Sequence, residues 1–196
     1  MKKLTAFVAQ LRLLPVLQTI GAAAFRIIPF VLRPPNMAPV GGFSLYGGAR
    51  LPLWQALLLP MLAMGISDVV LRQIHGLPMF DPFVYASFLI YAVLGRLMLK
   101  DSKSWSRIIG VTVLGSVQFF LITNLGHWYM SFGQTWQEFP ATFTGLMLNY
   151  VKALPYFAAS LEGDLIFSLG FFALHQWVES RSPATIRLLL PQEARS

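Results

Sequence analysis

The run from Leu51 to Leu71 contains one ionisable residue, Asp68. It is long enough to cross the hydrocarbon core of a bilayer, which takes about 20 apolar residues. The rest of the chain has the same character: 56% of its residues are hydrophobic and only 12% are charged, about half the ~25% charged content of a soluble domain. The fold expected is therefore an all-α integral membrane protein. At 196 residues, and ~20 residues per span, it holds about six helices and no separate soluble domain.

Further apolar segments run from about Leu13 to Leu32, Met37 to Ala49, Phe83 to Leu99, Ile108 to Met130 and Ala158 to Val178. Together with Leu51 to Leu71 they predict one bundle of about six transmembrane helices within residues 1–180, followed by a tail over 181–196. Thr142 to Pro155 is apolar but short, and is expected to lie in the membrane interface. A signal-peptide reading of the first segment, cleaved near Ala22-Ala23-Ala24, is opposed by Arg12 and Gln18 inside its apolar core and by the run onward to Leu32.

The formal net charge is +7, but the basic residues are scattered singly between apolar runs. That pattern suits a topology signal and not a nucleic-acid surface. With the N-terminus inside, one side receives Lys2, Lys3, Arg12, Arg50, Arg96 and Lys100, then Lys103, Arg107, Arg181, Arg187 and Arg195; the other receives Arg33, Arg72 and Lys152. The positive-inside rule then places both termini in the cytoplasm. There are no cysteines, which removes disulfides, thiolate metal sites and cysteine nucleophiles. A Walker A loop, a zinc-protease motif and a Gly-x-Gly-x-x-Gly fingerprint are all missing from the sequence, so no cofactor and no metal is expected.

Two features stand out as candidates for function. The first is the stretch from Arg33 to Gly48, with Pro34, Pro35, Pro39, Gly41, Gly42 and Gly47 between apolar segments. Irregular backbone at membrane depth needs protein or a cavity around it, and a short, broken span points to a binding site. The small residues Ser44 and Gly48, four apart, also suit close helix packing. The second feature is a set of ionisable residues at comparable depth: Arg26, Asp68 and Asp164. Such residues face the bundle interior, paired or along a pathway. They read either as a structural ion pair joining Arg26 to Asp68 or Asp164, or as the polar floor of a cavity.

Pro35-Asn36-Met37-Ala38-Pro39-Val40-Gly41 and Leu45-Tyr46-Gly47-Gly48 resemble the P-N-F-x-P-[VI]-G and L-F-G-G motifs of a family of small bacterial membrane proteins. The likeness continues through Pro60 to Asp68, Thr123 to Trp128, Gly145 to Tyr150 and Gly163-Asp164. That family is similar to the substrate-binding S-components of energy-coupling factor (ECF) vitamin transporters, six-helix proteins with an outward-facing pocket, and to a cobalamin-specific group like them. The resemblance implies a multi-pass protein of the bacterial inner membrane. It would bind a small-molecule substrate such as a vitamin or cobalamin, and could have an ECF-type energising module as partner.

It also implies a pocket mouth formed by Asn36, Asp68 and Tyr85 with Asn124, His127, Tyr150 and Lys152. Two departures stand beside it: Phe80 lies about where the cobalamin group carries a cobalt-liganding cysteine, and no Ala-xxx-Ala pair for docking to the module is present in the first helix. Two other functions compete. Gly42-Phe43-Ser44 with His127 resembles the serine and histidine of intramembrane serine hydrolases. Alternatively, every polar residue named could serve packing in a structural or assembly subunit.

Overall fold

The computed structural model describes residues 13–28, 32, 36–76 and 80–181. They form six helices and no strands: α1 (Leu13–Ile27), α2 (Val40–Arg50), α3 (Leu53–His75), α4 (Pro82–Met98), α5 (Trp105–Met130) and α6 (Phe143–Arg181). Three helical stretches, Leu53–Ile74, Trp105–Met130 and Phe143–Ser180, are long and apolar enough to cross a membrane. Val16–Ile27 and Pro82–Met98 are shorter apolar helices. Leucines and isoleucines on α3, α5 and α6, such as Ile66, Leu121 and Ile166, are exposed, as a surface that meets lipid requires. The tail expected from 182 onward lies outside the described residues.

α2 occupies the centre. All eleven of its residues are buried, and it packs against α4, α6 and α3. Eleven residues rise only about 16 Å, so α2 alone does not reach across a bilayer. Its glycines explain how it fits. A Cβ on Gly48 would strike the carbonyl of Ala92, one on Gly95 would strike the carbonyl of Leu45, and one on Gly42 would lie 2.6 Å from the backbone nitrogen of Ser168. The expected small-residue packing therefore brings backbones of α2, α4 and α6 into contact. Phe43, Tyr46 and Phe172 fill the space beside these approaches and are fully buried.

The end of the bundle where α2 stops and α5 starts is basic. Arg50, only 3% exposed, donates to the carbonyls of Leu99 at 3.0 Å and Ser102 at 2.5 Å, and Arg96 donates to the carbonyl of Leu51 at 2.6 Å. These two arginines close the α2–α3 and α4–α5 turns against each other. Lys103 pairs with Glu179 of α6 at 2.9 Å.

Two boundaries differ from expectation. The first segment was expected to run helical to Leu32, whereas α1 ends at Ile27 with a bend at Ile28. The cause is in the sequence: Pro29 follows, and a residue before proline is driven out of the α region. Thr142 to Pro155 was expected to be a separate interfacial helix. Instead it is continuous with the last span, and Pro155 sits inside the 39-residue α6. A proline within a membrane helix is tolerated when neighbours re-satisfy the freed carbonyl. The helix is about 58 Å long at 1.5 Å per residue, so part of it must extend beyond a hydrocarbon core of ~30 Å.

Candidate functional site

A cavity of about 400 Å³ lies at the end of the bundle opposite the basic end. Its walls come from α3 to α6, with Arg26 of α1 and the Asn36–Ala38 connection completing it. The local sequence explains each contribution. Asp81 has extended backbone and its Oδ1 accepts from the backbone nitrogens of Phe83, at 2.9 Å, and Val84, at 3.2 Å. With Pro82 at the first helical position, this cap starts α4 at the cavity mouth. Asn36 has φ of 63°, a left-handed conformation that asparagine accepts, and its carbonyl lies 3.4 Å from the Ser160 hydroxyl of α6.

One face of α5 supplies the densest wall. Phe119 and Phe120, Thr123 and Asn124, and His127 fall at spacings of three and four residues and all line the cavity. Phe120 packs on Phe157 of α6 with ring centroids 4.8 Å apart, and Phe119 on Phe88 of α4 at 5.1 Å. The Asn124 side chain donates to the Phe120 carbonyl of its own helix at 2.8 Å, and its backbone carbonyl accepts from Asn149 of α6 at 3.0 Å. The His127 ring lies 5.2 Å from that of Trp136. The result is an aromatic chamber with amide, imidazole and carboxylate groups at its edge.

Arg26 reaches the cavity from a polar layer behind it. Its guanidinium pairs with Asp68 at 2.8 Å and donates to the Ser67 hydroxyl at 2.5 Å and to the Met64 carbonyl at 3.3 Å. The Tyr85 hydroxyl donates to the other Asp68 oxygen at 2.7 Å. Charge and hydrogen-bonding capacity are thus matched within the layer. This satisfies the requirement on buried ionic groups.

Of the residues expected at the pocket mouth, Asn36, Asn124 and His127 line the cavity, while Asp68 and Tyr85 form the layer behind Arg26. Tyr150 and Lys152 do not line it. The Tyr150 hydroxyl donates to the Leu121 carbonyl at 2.8 Å. Lys152 pairs with Glu138 and stands over the Phe139 ring. The reason is rotation about α6: these residues turn toward α5 or the connecting loop, whereas Ala153, Phe157 and Ser160 face the cavity.

The grouping of Arg26 with Asp164 as an ion pair is likewise corrected. Asp164 sits across Gly41 of α2 and accepts from the Tyr91 and Ser116 hydroxyls. Arg26 faces α3 and takes Asp68 instead. The hydrolase pairing fails on geometry. The Ser44 hydroxyl is buried inside α2 and makes no hydrogen bond, so His127 is not its base.

Which phenylalanines form the aromatic walls is not legible in the sequence, because Phe88, Phe119, Phe120 and Phe157 look like any lipid-facing phenylalanine. The one available signal was the stripe of Thr123, Asn124 and His127 on a single face of an apolar helix. Among the described residues no three His, Cys, Asp or Glu side chains form a metal-binding group. No curated protein and no solved structure matches the chain. The match to a family extends from residue 8 to residue 185, taking in every helix described above, and by it the chain belongs to DUF6580, a family of unknown function.

Proposed function

We propose that this protein is a membrane uptake protein that binds a small, flat nutrient in the cavity, taking it from the side opposite the basic end. The observation that carries this reading is the cavity: about 400 Å³, within the ~300–1,000 Å³ typical of small-molecule sites, with aromatic walls and a few polar groups to fix orientation. The resemblance to ECF S-components supports a six-span arrangement in the bacterial inner membrane with both termini cytoplasmic. So does the cluster of Arg50, Arg96, Lys100 and Lys103 at one end.

Cavity volume bears on the ligand. A corrinoid such as cobalamin, with its macrocycle and nucleotide loop, has many more atoms than this space accommodates. A vitamin or precursor of one or two rings fits. The rings of Phe120 and Phe157 suit its face, and Asn36, Asn124 and Asp81 suit polar groups at its edge. Binding requires no chemistry on the ligand. An energising module remains a candidate partner.

The test is mass spectrometry of small molecules extracted from the purified protein. A compound enriched over an unrelated membrane protein is expected. Its amount should fall about tenfold in Phe120→Ala and Asn124→Leu, the effect of losing roughly 1.4 kcal/mol of contact. No enrichment would favour the structural-subunit reading, which draws on the full engagement of Asp68 by Arg26 and Tyr85.

A further inference from the structure

Asp164 lies deeper in the bundle than the cavity and has no role in lining it. The residue is 7% exposed. It accepts from the Tyr91 hydroxyl of α4 and, at 2.7 Å, from the Ser116 hydroxyl of α5, while Gly41 of α2 leaves room for its other oxygen. No cation pairs with it among the described residues. An unpaired carboxylate in a membrane interior is costly, and such residues mark ion or proton pathways. Tyr91 is the titratable group that faces it. Both hydroxyls can turn from donor to acceptor, so the same three side chains accommodate a carboxylate or a carboxylic acid without moving.

Aromatic rings separate this carboxyl from both ends of the bundle. On the cavity side, Tyr91 packs against Phe88 at 6.1 Å and Phe119 at 6.3 Å, and both of those rings line the cavity. On the other side, α6 carries Ser168 and His175 on nearly the same face as Asp164, at ~100° per residue. The Ser168 hydroxyl is buried and makes no hydrogen bond. Phe171 comes between Ser168 and His175 along α6, its ring 5.9 Å from Phe43 and 6.0 Å from Tyr46. His175 Nδ1 is 3.0 Å from the Tyr46 hydroxyl, and Arg50, Lys103 and Glu179 face the imidazole at the basic end.

We propose that Asp164 is a proton-binding site, occluded between a Phe88–Phe119 layer and Phe171, and that its loading and unloading accompany movement of the solute. A hydronium ion on the cavity side gives one proton to the Asp164 carboxylate, forming its O–H bond and leaving water. Its release toward the basic end breaks that bond, restores the carboxylate and passes the proton to bulk water, with Ser168 and His175 on the same face of α6 in that direction. One positive charge crosses per cycle. A coupled carrier must not leak protons, and rings on both sides of the carboxyl meet that requirement.

The inference deepens the uptake reading by naming a second solute. Its test needs no nutrient, so either can fail alone. Infrared spectra of the full chain in phosphatidylethanolamine–phosphatidylglycerol vesicles, taken across the pH range in which it stays folded, should contain a protonated-carboxyl C=O band that titrates. The band should be absent in Asp164→Asn and retained in Glu162→Gln, an exposed acid on the same helix. Tyr91→Phe, which keeps the ring and removes one hydroxyl, should displace both band frequency and midpoint. A titrating band that survives Asp164→Asn, a band that never changes with pH, the lack of any such band, or a Tyr91→Phe spectrum identical to wild type would each overturn the proposal.

Discussion

At the scale of single residues, Arg26, Asp68 and Tyr85 are bonded to one another, and the arginine also reaches Ser67 and the Met64 carbonyl. The guanidinium and the carboxylate are each largely removed from solvent, with side-chain exposures of 17% and 10%. Removing one member leaves the other charge uncompensated in an apolar surround. Asp68→Ala should therefore destabilise the protein by about 3 kcal/mol, at the lower end of what breaking a buried pair costs. Arg26→Met combined with Asp68→Leu should recover much of that loss. Thermal unfolding of detergent-solubilised protein checks both, and a double variant no more stable than Asp68→Ala would mean that the pair carries more than charge balance. Tyr85→Phe leaves the ion pair intact and removes one hydrogen bond, so about 1 kcal/mol is expected.

The elements were legible in the sequence to different degrees, for physical reasons. α3, α4 and α5 are bounded by capping and breaking residues the sequence displays: Pro52 before α3, Asp81-Pro82 at the start of α4, Ser104 before α5. Proline inside α6 misled because propensity measured in water overstates its cost in a membrane, where Pro155 interrupts only one link of a long helix. The cavity was half legible. Thr123, Asn124 and His127 break the apolar pattern of α5 and so announce themselves, whereas the side of α6 that meets them cannot be told from composition. Lys152, which the resemblance points to the mouth, therefore turns away, and Ser160 lines the cavity instead. Among the elements, α2 has the least tolerance for change. Gly48→Val would place side-chain carbons into the backbone of α4 at Ala92, where no rotamer gives relief. A loss of at least about 3 kcal/mol, the upper end for overpacking, or failure to accumulate in membranes is expected. Gly110→Ala, in open space on α5, should behave like wild type in the same expression and melting assays.

For the whole molecule, the orientation in the membrane can be tested cleanly because the chain has no cysteine of its own. A cysteine introduced at Gln134, in the exposed α5–α6 connection, and one at Lys100, in the exposed α4–α5 turn, stand at opposite ends of the bundle. In intact cells a membrane-impermeant maleimide should label the Gln134→Cys protein. The Lys100→Cys protein should react only after the membrane is opened. The reverse pattern would place the cavity mouth on the cytoplasmic side and turn the uptake reading into one of release.

The complete burial of α2 also governs how the chain is built. A segment of eleven residues with four glycines has neither the length nor the apolar surface to leave the translocation channel for lipid as it is synthesised. It gains its surroundings only when α4 and α6 are present, and α6 follows it by some ninety residues. Ribosome-bound chains ending soon after Arg50 should leave α2 accessible to water, whereas chains extended past Arg181 should protect it. The central helix thus waits, unburied, for a helix made much later, and a premature stop anywhere before α6 leaves it without a place.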